Sequence, residues 1–83
     1  MQLRTEGITW QEIDDELVIL DTARSVYLTT NVAGAHLAKL LTEERSVEEL
    51  ADALVVEYGI DRATAQADAA AFAADLAEKG LLR

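Results

Sequence analysis

ELVILDTARSVYLTTNVAG, residues Glu16 to Gly34, holds two β-prone runs and a helix start in one short segment. Leu17-Val18-Ile19-Leu20 and Val26-Tyr27-Leu28-Thr29 are rich in the branched and aromatic residues that suit a pleated surface. Asp21-Thr22-Ala23-Arg24-Ser25 between them has turn composition, so the spacing predicts a hairpin. Asn31 stands directly before the apolar run Val32 to Leu41, where its side chain can accept from an orphan amide of a first helical turn. The second strand of such a hairpin can present a free edge. A free edge is either a hazard to be blunted or a docking site for another chain.

Upstream, Ile8-Thr9-Trp10-Gln11-Glu12-Ile13 reads as a further strand, and Asp14-Asp15-Glu16 as a tight acidic turn. Together with the hairpin this makes a three-stranded antiparallel meander. Downstream the period changes to that of helices. Leu37, Leu40 and Leu41 mark the apolar side of the first. Ser46-Val47-Glu48-Glu49 is a capping box that opens the second, and Val47, Leu50, Ala51, Leu54, Val55 and Tyr58 recur behind it at helical spacing. Gly59 is placed to end that helix, and Asp61 to cap a third over Arg62 to Lys79 that stops at Gly80. Leu81-Leu82 then fold back on the core or end in a short extended tail. Strands followed by helices define an α+β class, and the two later helices form a helix-turn-helix-like pair. With the meander as wing, the expected architecture is a winged helix-turn-helix, one domain over residues 1–83.

Composition narrows the function. The chain has 83 residues, no cysteine and no proline, with sixteen acidic against seven basic residues for a formal net charge of −9. Without cysteine there is neither a disulfide framework nor a thiolate metal site. No apolar run approaches the roughly 20 residues that span a bilayer, which makes a cytoplasmic protein with no membrane partner the expectation. The basic residues are scattered singly, so a phosphate-binding surface is disfavoured. The acidity either selects a neutral or basic partner or only keeps the chain soluble.

Catalysis finds little support. His36 is the only histidine and lies on a predicted helix. Asp14-Asp15-Glu16 lacks the ligand spacing and the glycine of a calcium loop, and no phosphate loop or nucleophile elbow appears. The residues therefore predict no enzyme, no metal and no cofactor. A winged helix suggests DNA, yet the last helix offers Asp68, Asp75 and Glu78, with Arg62 and Lys79 only at its ends. Such a face repels a polyanion. What it offers instead is small side chains, since nine of the fifteen residues from Ala63 to Ala77 are alanine. Phe72 and Leu76 are expected to point into the core with Ala65, Ala69 and Ala73, leaving Ala67, Ala71, Ala74, Asp68 and Asp75 along an adjacent face. That face is either plain helix propensity or one wall of a docking groove.

The segment ELVILDTARSVYLTTN, the helix containing Gly34, the Ser46-Val47-Glu48-Glu49-Leu50 helix start, Asp68-Ala69-x-x-Phe72-Ala73-x-x-Leu76 and the Gly80-Leu81-Leu82 ending follow one another in an order that resembles the PqqD-like proteins. These are the precursor-recognition domains of ribosomally made, modified peptides, and the chain is most similar to the stand-alone versions of lasso peptide biosynthesis. Thr30, where the family usually has leucine, and Ala69 and Ala73, where larger aliphatics are common, depart from the pattern. The resemblance implies a non-catalytic protein that binds the leader segment of a precursor peptide and delivers it to a leader peptidase and a cyclase. It also implies that the leader adds as a strand beside the third strand, in the cleft against the last helix. On that reading the peptide-binding residues are Ser25, Val26, Tyr27, Leu28 and Thr29 on one side, and a groove over Ala67, Ala71 and Phe72 on the other; charge adds Asp68 and Asp75, which lysines of the leader would meet. Alternation sets Val26, Leu28 and Thr30 toward the core, with Tyr27 and Thr29 outward. The competing readings are a winged-helix nucleic-acid-binding or adaptor domain, and an interaction module that touches an enzyme through Glu43-Glu44-Arg45.

Overall fold

The structure is a computed structural model that describes all residues from Met1 to Arg83. Strands β1 (Ile8–Ile13), β2 (Glu16–Asp21) and β3 (Val26–Thr30) are followed by helices α1 (Val32–Leu40), α2 (Val47–Tyr58) and α3 (Arg62–Glu78). The sheet is an antiparallel meander in the order β1-β2-β3. With the meander as wing beside the α2–α3 pair, the architecture is the α+β winged helix-turn-helix expected.

Local chemistry accounts for each boundary. Asp14 and Asp15 turn β1 into β2 with φ of 51° and 68°, the double left-handed geometry of a two-residue hairpin loop. Glu16 already belongs to β2, so the turn is one residue shorter than its acidic run suggests. Asn31 caps α1 by accepting from the Gly34 amide at 2.8 Å. At α2 the Ser46 hydroxyl accepts from the Glu49 amide at 3.1 Å, and the Ser46 amide donates to the Glu49 carboxylate at 3.0 Å. Gly59 closes α2 in the left-handed region, φ 66°. Asp61 caps α3 by accepting from both the amide and the hydroxyl of Thr64.

The core lies between one face of the sheet and the three helices. Leu17, Ile19 and Leu28 of the sheet meet Leu37, Leu50, Leu54, Ala65, Ala69 and Leu76. The alanines let α3 approach α2 closely, so a helix of low amphipathicity still packs. Leu81 folds back into this core, and Leu82 pairs with Leu3. The segment before β1 shows no periodicity, yet it is built in. Leu3 is buried, its amide donates to the Leu41 carbonyl at 2.8 Å, and the Arg4 amide donates to the Leu81 carbonyl at 2.8 Å.

Asp21 departs from its expected place in a turn. It ends β2 on the core side, only 1% exposed, where Arg4 donates to its Oδ2 at 2.5 Å and the Arg24 amide to its Oδ1 at 3.2 Å. The hydrogen bond from Arg4 is the main cause that lowers the Asp21 pKa below its ordinary value. A carboxylate can end a buried strand here because both of its oxygens are satisfied.

Candidate peptide-binding site

The expected site has two walls, the outer edge of β3 and one face of α3. The register of the sheet determines which backbone groups of β3 are free. The Thr22 amide donates to the Gly7 carbonyl at 3.3 Å, extending the β1–β2 ladder by one pair beyond Ile8↔Asp21. Hydrogen-bonded and non-hydrogen-bonded pairs alternate along an antiparallel ladder. Glu16, Val18 and Leu20 therefore turn their backbone groups to β1, and Leu17, Ile19 and Asp21 turn theirs to β3. Their partners there are Thr30, Leu28 and Val26. The N–H and C=O groups of Tyr27 and Thr29 then point away from the sheet, at an edge that no other strand occupies.

The side chains sort as alternation predicts. Leu28 and Thr30 are buried and Val26 is half-buried on the core face, while Tyr27 and Thr29 are exposed. Thr30, the departure from the family pattern, meets the core with its hydroxyl satisfied by donating to the Leu17 carbonyl at 3.3 Å. Ser25 lies outside the strand, in the turn before it, with φ of 56°.

Below the end of β3 a cavity of about 640 Å³ opens between the start of α1, the end of α2 and the face of α3. Leu37, Leu54, Ile60 and Phe72 give it an apolar lining, with Asn31, Ala33 and Gly34 on the α1 side and Tyr58 on the α2 side. From α3 come Asp68, Ala71, Phe72 and Asp75, the i, i+3, i+4, i+7 stripe of one helical face. Four of the ten residues singled out from the sequence are thus brought together in this cavity. Ala67 is exposed on α3 but does not line it, because it sits about a quarter turn away from the stripe. The β3 residues form the separate edge wall.

Phe72 corrects the expectation that it fills the core. It is half-buried and forms cavity wall, its ring 3.4 Å from where a Cβ on Gly34 would stand. Leu76 takes the core position one turn later, fully buried. Tyr58 is likewise 40% exposed rather than core, and its ring meets His36 edge-on, centroids 6.3 Å apart at 89°. Asn31, Gly34, Leu37, Leu54, Tyr58 and Ile60 were not assigned to the site from sequence. The strongest signal for them was Gly34, a small residue near the start of a helix.

The site's charges are few. Lys79 donates to Asp75 Oδ1 at 2.7 Å, and this bond is the main cause that raises the Lys79 pKa above its ordinary value. Asp68 has no such partner. His36 lies in a smaller hollow with Asp15, Lys39, Glu57 and Tyr58, while Lys39 is engaged by Glu12 at 2.5 Å. No group of histidine, cysteine and carboxylate side chains is arranged to hold a metal ion, and no helix is long and apolar enough to cross a membrane.

Comparison with known proteins gives this fold its relatives. The chain superposes on a solved structure described as "TbiB1 in Complex with the TbiA(beta) Leader Peptide" with a TM-score of 0.86 and 34% identity, covering 100% of this chain and 95% of that one. It superposes on another, "Lasso peptide synthetase B1 complexed with the leader peptide", with a TM-score of 0.81 and 30% identity, covering 96% and 93%. A search of curated proteins gives no match. The family described as Coenzyme PQQ synthesis protein D (PqqD) matches residues 16–82. The chain belongs to the PqqD family, as a PqqD-like recognition element of ribosomally made, modified peptides.

Proposed function

We propose that this protein binds the leader segment of a ribosomally made precursor peptide by adding it as a fourth strand to β3, and hands it to the leader peptidase and cyclase of a lasso peptide pathway. The observation that carries the reading is the outer edge of β3, where the amides and carbonyls of Tyr27 and Thr29 are unpaired beside an apolar cavity. Two similar proteins are described in complex with leader peptides, which supports the same class of ligand here. Strand addition supplies main-chain hydrogen bonds that are largely indifferent to sequence, and the cavity supplies the selection. Ser25, Val26, Tyr27, Leu28 and Thr29 would form the edge, with Asp68, Ala71, Phe72 and Asp75 as the facing wall. Ala67 is left at its margin. The whole chain, residues 1–83, would act as one recognition domain in the cytoplasm, with a binding role in place of a catalytic one.

The nucleic-acid reading gains nothing from the fold, since the α3 face that a winged helix would insert carries Asp68 and Asp75. The register supplies the decisive variant. Proline at Tyr27 removes an amide that points outward and leaves the bonds to β2 in place, whereas proline at Leu28 removes a bond of the sheet itself. Titration of the TbiA(beta) leader peptide, followed by fluorescence anisotropy, should give saturable binding to the wild type and at least about a tenfold loss with Tyr27→Pro. Circular dichroism verifies that the variant is folded. Unchanged affinity in a folded Tyr27→Pro protein would rule out strand addition at this edge.

A further inference from the structure

Two close approaches set how β3 lies against α3. At one end Arg24, in the turn before β3, lays its guanidinium over Gly80, just past α3, where an added Cβ would overlap it. At the other end Thr30, Gly34 and Phe72 bring the end of β3, the start of α1 and the middle of α3 together. β3 and α3 therefore run past one another in opposite directions, and the ends of the cleft carry different charges. Arg24 forms no ion pair and its guanidinium makes no hydrogen bond; Asp68, lining the cavity at the far end, has neither. Between them the Asp75 and Lys79 charges are spent on each other at 2.7 Å.

Resting on the leader-binding reading, we infer that the cleft is electrostatically polarised. Its occupant is a leader strand with an acidic side chain at the Arg24 end and a basic side chain at the Asp68 end. The spacing is read along α3. The twelve residues from Asp68 to Gly80 span about 18 Å of helix, with Asp68 one turn beyond Phe72, where the end of β3 comes nearest to α3. That length corresponds to about six residues of extended leader strand. Main-chain bonds alone leave a strand free to slip in register or to reverse. Two opposite charges at a fixed separation remove that freedom, because the wrong direction sets like charges together at both ends. At the Arg24 end Arg4 also reaches Gly80, its Nε donating to the carbonyl at 3.1 Å, but its charge is already paired with Asp21, which leaves Arg24 as the free cation.

The test uses the TbiA(beta) leader peptide as scaffold. A glutamate and a lysine are introduced about six residues apart, in both orders, with the pair moved along the peptide. Anisotropy titrations at low salt should show one order binding about tenfold tighter than the reverse at one position, with the preference collapsing near 1 M salt. Arg24→Glu combined with Asp68→Lys should invert the preference. The single variants Arg24→Gln and Asp68→Asn should each remove part of it, and they carry the test if the double variant fails to fold. Equal affinity for the two orders at every position, with the parent peptide still binding, overturns the polarity and leaves strand addition standing. A preference that survives the charge changes overturns it as well. If neither the parent nor any variant binds, the leader-binding reading falls and the inference with it.

Discussion

Replacing Gly34 with alanine sets two well-measured effects against each other, and the structure says which one wins. Gly34 occupies the first turn of α1, where alanine favours the helix by up to about 1 kcal/mol. Its added Cβ would stand 2.9 Å from Thr30 Cβ, 3.3 Å from Asn31 Oδ1 and 3.4 Å from Phe72 Cε1. Carbon atoms at rest sit about 3.5–4.0 Å apart, so the contact with Thr30 needs real movement. Thr30 Cβ is a branched atom fixed by a buried strand end, and Asn31 is held by its capping bond, so neither yields as a flexible chain tip would. Overpacking of this kind costs about 1–3 kcal/mol. The balance is a net loss of about 1 kcal/mol, which for a domain of this size lowers the melting temperature by about 4–8 °C. Thermal and urea unfolding of Gly34→Ala measure it directly. A double-mutant cycle with Phe72→Ala adds a second arm, because removing the ring relieves one of the three contacts and should make the glycine substitution less costly. A melting temperature that rises in Gly34→Ala would show that helix propensity prevails, and would refute the close packing of β3, α1 and Phe72 on which the shape of the site depends.

Two further outcomes follow from the packing and the charges. Leu3→Ala removes a buried side chain from the segment before β1 and should cost about 2–5 kcal/mol by urea titration; an effect below 0.5 kcal/mol, the usual scatter for surface changes (about that size), would mean the segment is not docked. Asp21, Glu49 and Asp61 have folded-state pKa values below their ordinary 3.8, 4.5 and 3.8, chiefly through bonds from Arg4, the Ser46 amide and the Thr64 hydroxyl respectively. Their stabilisation is present above those ordinary values and is lost as pH falls through the depressed ones, so the urea midpoint should decline below about pH 4.5 and the decline should be shallower in Asp21→Asn.

Much of this architecture is legible in the sequence because its signals are local. The capping box at Ser46, the caps at Asn31 and Asp61 and the stop at Gly59 each depend on residues within four positions of one another. Alternation in β3 was legible for the same reason. What escaped depends on contacts far apart in the chain. Leu3 is too isolated to show a period, and its partners are Leu41 and Leu82. Asp21 looks like a turn residue until Arg4 is brought to it. Phe72 and Tyr58 satisfy the helical apolar pattern equally well as core or as cavity wall, and only the assembled cavity between the ends of α1 and α2 and the face of α3 decides. For the cavity, residue type points to the face of Asp68, Ala71 and Asp75, whereas it places Phe72 in the core, and Phe72 enters the expected site only with the family resemblance. Composition alone does not separate Ala67 from that face, because neighbouring faces of an alanine-rich helix look alike.

Whether a peptide completes the sheet at β3 can be read from amide hydrogen exchange at residue resolution. In the free protein the Val26, Leu28 and Thr30 amides should be protected by β2, while those of Tyr27 and Thr29 exchange freely. On saturation with the TbiA(beta) leader peptide the Tyr27 and Thr29 amides should become protected together. If the peptide binds and those two amides keep exchanging as before, the leader does not add as a strand to β3.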